Sequence, residues 1–137
     1  MANKKQEVEI AVAEVVDYLR ITGQFAPALK AVVERKVTAL AARKSGIKVS
    51  TKQLQSAADT FRAMNGLIKA SDTEKWLKQN GLTVEALEDY LETNILINGF
   101  KNKLEKKASS AKYMKAPIIK ESVKELIYKD WLKNEMK

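Results

Sequence analysis

Neither cysteine nor histidine occurs in this chain. That removes disulfides, thiolate nucleophiles, and the zinc sites and Ser-His or Cys-His triads that depend on them. Acid–base chemistry would have to come from carboxylates. Glu88 and Glu92 lie one helical turn apart, as do Glu121 and Glu125, but such pairs on a helix surface are ordinarily solvated charges. Arg62 and Lys36 are of a type that can hold a carboxylate, and they read equally well as surface charges. No glycine-rich loop could cradle a phosphate. The expectation is a protein that is not an enzyme, with no catalytic residue, metal or cofactor. Aromatic and methionine side chains offer more. Phe61, Met64, Trp76, Tyr90, Phe100, Tyr113, Met114, Tyr128 and Trp131 are concentrated beyond residue 60. Surfaces that accept varied peptides use such adaptable apolar side chains, and a hydrophobic core uses the same types.

Those residues have to be positioned by helices, because glycine and proline are few and the apolar spacing follows a helical period. A first amphipathic helix is expected over Val8–Ile21, after a frayed stretch 1–7, and Thr22-Gly23-Gln24 breaks it. The next helix begins near Pro27, a residue suited to a first turn. Leu29, Val33, Val37 and Ala41 recur along it, and Val32 and Leu40 widen the stripe. Lys44 and Gly46 mark its end, with Ile47 placed to fold back in a Schellman motif. Ser50 and Gln53 have capping-box spacing, and Val49 and Leu54 can staple the start of a helix running to about Asn65. Together these two helices form a central hairpin.

Downstream, Gly66 stops the hairpin and Leu67-Ile68-Lys69-Ala70 forms an apolar loop. Ser71 and Glu74 suggest a second capping box before a short helix carrying Trp76 and Leu77. Thr83 is the expected N-cap of a long fifth helix reaching about Lys106, with Leu82 and Leu87 as its staple. Gly99 within that helix costs about 1 kcal/mol relative to alanine, which a close backbone approach or a simple kink would explain. Ala108–Lys112 reads as a linker, and Pro117 opens a last helix with Ile119, Val123, Leu126, Ile127, Trp131 and Leu132 on its apolar positions. Such a helix is marginal alone and must dock.

The length suits a single domain, 1–137, able to bury a core. It divides into a helical body 8–106, a linker 107–117 and a docking helix 118–137. Of the net charge of +8, residues 101–137 supply +6 through eleven lysines against five acids. A basic tail of this kind can meet acidic peptides or phosphate backbones. No apolar run is long enough to span a membrane, and the N-terminus lacks the apolar core of a secretory signal. The expected compartment is therefore the cytoplasm, or the periplasm or exterior if a leader has been removed.

The segment Val32–Leu104 resembles the N-terminal chaperone domain of SurA-type periplasmic foldases and related parvulin-associated proteins. The resemblance lies in the ordered set VVERKVTALAARKSGIKVS, TKQLQSAADTFRAMNG, WLKQNGLTVEAL and EDYLETNILINGFKNKL. The final SVKELIYKDWLKNEMK is similar to the helix that completes the chaperone core in that family. There a parvulin-type prolyl isomerase domain usually precedes this helix, whereas here only about a dozen residues, Lys107 to Pro117, fill the interval. The resemblance thus implies the peptide-holding part without the isomerase activity. It also implies a leader peptide or an unfolded client as ligand, and a maturation enzyme as a possible partner.

The resulting expectation is an all-α fold of about six helices, with the C-terminal helix docked across the fifth helix and the central hairpin. Its function would be non-catalytic binding of unfolded or extended polypeptide in an apolar groove lined by Phe61, Met64, Leu67, Ile68, Tyr90, Tyr128 and Trp131. Two alternatives stand beside it. One is a basic helical nucleic-acid binder, the less favoured because the lysines are interspersed with glutamates. The other is an oligomerisation module, such as a homodimer that exchanges its last helix.

Overall fold

A computed structural model describes residues 10–108 and 117–136. Within them the backbone forms six helices and no strand. These are α1 (Val12–Ile21), α2 (Phe25–Lys44), α3 (Thr51–Met64), α4 (Ala70–Gln79), α5 (Val84–Ala108) and α6 (Pro117–Glu135). Residues 1–9, most of the expected linker, Tyr113 and Met114 lie outside the described residues, as do the side chains of Ile119 and Val123.

Local hydrogen bonding explains most of these boundaries. At the end of α2 the Ile47 N–H donates to the Ala42 carbonyl (3.1 Å) and the Gly46 N–H to the Arg43 carbonyl (3.0 Å). This is the Schellman pattern, and Gly46 supports it with φ of 88°, a conformation that a Cβ would strain. Equivalent closing bonds end α1 (Gln24 to Leu19, 2.8 Å), α3 (Leu67 to Arg62, 2.7 Å) and α4 (Leu82 to Leu77, 2.9 Å). The capping box of α3 is formed in full. The Gln53 N–H donates to Ser50 Oγ (3.1 Å), and the Ser50 N–H donates to Gln53 Oε1 (2.9 Å). Thr83 caps α5 by accepting from the Ala86 N–H at 3.1 Å.

One start signal goes unused. The Ser71–Glu74 box does not cap α4, which begins earlier with Lys69 as N-cap and no side-chain cap bond. Thr73 lies inside the helix instead, and its hydroxyl donates to the Leu67 carbonyl at 3.1 Å. The neighbouring Arg62 anchors the same loop. Its Nε donates to the Leu67 carbonyl (3.1 Å) and to Thr73 Oγ1 (3.2 Å), and its Nη2 donates to the Ile68 carbonyl (2.6 Å). Arg62 is therefore a loop anchor, neither a free surface charge nor a carboxylate receptor.

Packing divides the chain into two compact units within the stretch read as one domain: residues up to Glu34, and Arg35 onward. In the first, α1 has no buried residue, and Arg20 lies 4.6 Å from the centre of the Phe25 ring. In the second, the core joins Ala39 and Ala42 of α2 to Leu96 and Phe100 of α5, with Ile47, Val49, Leu104 and Trp131 around them. The buried face of α2 is thus Thr38, Ala39 and Ala42; of the expected stripe Val37 is half-buried and Ala41 packs against the core, while Leu29, Val32, Val33 and Leu40 are exposed. Small side chains win at this contact because they let α2 come close enough for Leu96 and Phe100 to fill the space between the helices. The buried Thr38 hydroxyl is satisfied by Tyr128 Oη at 3.1 Å.

α3 and α6 both pack on α5. The docking of α6 is made by Trp131 edge-on to Phe100 (centroids 4.8 Å) and by Lys101 Nζ to Glu125 Oε1 (2.9 Å). What approaches Gly99 is a side chain and not the expected backbone: a Cβ there would lie 3.1 Å from Ile47 Cγ2. Lys103 Nζ donates to the Ser45 carbonyl at 2.7 Å, placing a cation at the negative end of α2. None of the described helices is long and apolar enough to cross a membrane.

Candidate functional site

One face of α5 carries Leu87, Tyr90, Leu91, Asn94, Ile95, Asn98 and Lys101, spaced three or four residues apart as one helical face requires. Along it lie three cavities that share walls. The largest, about 750 Å³, runs between α3 and α5. Its apolar lining is Ala57, Phe61 and Met64 from α3 with Tyr90, Leu91 and Ile95 from α5, and its polar lining includes Gln53, Ser56, Thr60, Asn94 and Asn98. The capping box fixes where α3 begins, and its packing on α5 turns Ser56, Thr60 and Phe61 toward the groove.

At one end Phe61 and Tyr90 also border a second cavity of about 440 Å³, completed by Asn65, Trp76, Leu82, Ala86 and Leu87. The Phe61 and Trp76 rings meet edge to face with centroids 5.6 Å apart, a favoured aromatic geometry. At the other end Asn94 and Asn98 border a third cavity of about 360 Å³ with Arg35, Ile97, Lys101 and Tyr128. This end is cationic. Arg35 Nη1 donates to Asn94 Oδ1 (2.7 Å) and Nη2 donates to the Tyr90 carbonyl (3.1 Å), with the guanidinium 4.6 Å from the Tyr90 ring centre. Lys101 Nζ sits 4.5 Å from the Tyr128 ring centre.

Of the seven residues singled out in the sequence, three meet in the main groove: Phe61, Met64 (81% exposed) and Tyr90 (48% exposed). Tyr128 borders the cationic cavity. The other three lie elsewhere. Leu67 is buried at 7% exposure, Ile68 is exposed on the loop held by Arg62, and Trp131 packs against the core. The polar residues of the groove were not singled out, nor was Arg35. A signal for two of them was present: Asn94 and Asn98 are poor helix formers at i, i+4 in a helix interior.

The carboxylate pairs are split by the packing. Glu92 joins Arg43 of α2 at 3.3 Å and Glu125 joins Lys101 at 2.9 Å, so each pair contributes one member to an interhelical ion pair. Among the described residues no cluster of three acids could hold a metal ion. Comparison with models of known families, with curated proteins and with solved structures finds no match to this chain.

Proposed function

We propose that this protein binds an extended stretch of polypeptide along the α3–α5 groove and releases it unchanged. The observation that carries this reading is the make-up of the groove: an apolar floor flanked by side-chain amides and hydroxyls. An unfolded segment has apolar side chains to bury and backbone N–H and C=O groups to satisfy. Phe61, Met64 and Tyr90 serve the first need, at about 25 cal/mol per Å² of apolar area removed from water. Gln53, Asn94 and Asn98 serve the second: a carboxamide both donates and accepts, and Gln53 and Asn94, whose oxygens accept from Ser50 and Arg35, have N–H donors to offer. The resemblance to the SurA-type chaperone domain supports the same reading, with the isomerase step left out. A protein that binds unfolded chains in preference to folded ones slows their aggregation without ATP.

The test fills the groove from its rim. Thr60 is exposed on α3 and lines the groove, so Thr60→Trp can occupy the space without disturbing the core. Met64→Glu places a charge at the exposed apolar edge of the groove. Binding of fluorescein-labelled ten-residue peptides, read by anisotropy, is expected to weaken tenfold or more in both variants. If both keep the wild-type circular dichroism and still bind as wild type, the groove is not the site.

A further inference from the structure

The three cavities form one continuous row, and their chemistry differs from end to end. We propose that the furrow selects its guest by two anchors: a large apolar or aromatic side chain in the Trp76 cavity, and a carboxylate in the cationic cavity, where Lys101 marks the far end and Arg35 the near one. This rests on the polypeptide-binding reading above and adds to it a ligand class and a spacing.

Charge complementarity argues for the carboxylate. Two cations border the far cavity and no acid is among the residues lining it. Arg35 is held in place by Asn94 and the Tyr90 carbonyl, which occupy two of the five N–H groups a guanidinium carries. Lys101 is only 19% exposed and lies against Tyr128, so its charge is less screened by water than that of a surface lysine. Glu125 of α6 touches Lys101 at 2.9 Å. An ammonium has three donors, so it can accept a guest carboxylate beside Glu125, in competition with it.

Geometry sets the spacing. From Tyr90 to Lys101 is about 16 Å along the helix axis, and from Leu87 about 21 Å, at 1.5 Å per residue. An extended chain rises about 3.3 Å per residue, so a guest that reaches Lys101 spans about five to six residues, while Arg35, whose guanidinium lies 4.6 Å from the Tyr90 ring centre, meets the chain sooner. Between them Asn94 spends its Oδ1 on Arg35 and so presents its N–H groups to a guest carbonyl.

Three labelled peptides of equal length test this on the full chain. One has phenylalanine and aspartate five residues apart, one has asparagine in place of the aspartate, and one keeps both anchors only two residues apart. The first is expected to bind about tenfold more tightly than the asparagine peptide, with the closely spaced peptide, which can reach Arg35 and not Lys101, in between. Arg35→Gln and Lys101→Gln should each weaken the first peptide by a larger factor than the asparagine peptide. Glu125→Gln, which removes the competitor, should tighten the first peptide alone. Equal binding of the aspartate and asparagine peptides overturns the two-anchor proposal and leaves the groove reading intact. So does an equal weakening of both peptides in Arg35→Gln and Lys101→Gln. If none of the peptides binds, both fall together.

Discussion

Arg62 shows how far a residue's role depends on what its neighbours leave unsatisfied. By type it is a charged helix residue, but here it donates to the Leu67 and Ile68 carbonyls and to Thr73 Oγ1. Those carbonyls follow a helix stop and have no regular partner in a ladder, so a long side chain with several donors is suited to hold them. Arg62→Met keeps much of the stem's packing and removes every donation. The expected loss is about 1–3 kcal/mol, the cost of leaving carbonyls unmet where water is partly excluded. Urea unfolding measures it, and the midpoint should fall with the slope unchanged. Part of the loss is offset because Thr73 still donates to Leu67. The sequence held the arginine and the stop signal, but nothing local in it said that the two would meet.

Among the elements, α2 and α6 differ most from what periodicity suggests. On α2 the larger aliphatic residues are exposed and the contact is made by Thr38, Ala39 and Ala42. Apolar residues lie on several faces of that helix, so the choice falls to whichever face fits Leu96 and Phe100 of α5. On α6 the decisive residue is Trp131, stacked near Tyr128 (6.4 Å) and edge-on to Phe100. A nineteen-residue helix has little stability of its own in water, so this docking holds it. Trp131→Ala is expected to cost about 3 kcal/mol and to expose α6 to limited proteolysis, with Trp131→Phe restoring most of the protection. Loss of peptide binding in Trp131→Ala would then follow from the undocking of α6, which also carries Tyr128 and Glu125.

For the molecule as a whole, the division at Glu34 and Arg35 predicts uneven stability. The second unit has a buried core and interhelical ion pairs. In the first unit α1 buries no residue, and a ten-residue helix without burial is marginal. Native-state hydrogen exchange is expected to show α1 amides opening at far lower free energy than those of α5 near Leu96 and Phe100. Equal protection in the two helices would show that α1 is covered by contacts of its own. The furrow lies wholly within the second unit, so a guest is expected to raise protection in α3 and α5 and to leave α1 as it was.

The sequence alone determined that this is a helical protein and where most helices begin and end. Ser50, Gln53, Thr83, Gly46 and the other stops act on backbone groups within a few residues of themselves, and such short-range hydrogen bonding can be read from spacing. The unused box at Ser71 failed because Lys69 and Ala70 could start the turn sooner while Thr73 found a partner in the loop. Only the tertiary structure decided which faces were buried, that Leu67 and Trp131 went inward, and that Asn94, Asn98 and Arg35 joined Phe61 and Tyr90 along one furrow. Burial depends on the shapes of two helices at once, and a single helix with apolar residues on several sides does not specify its partner.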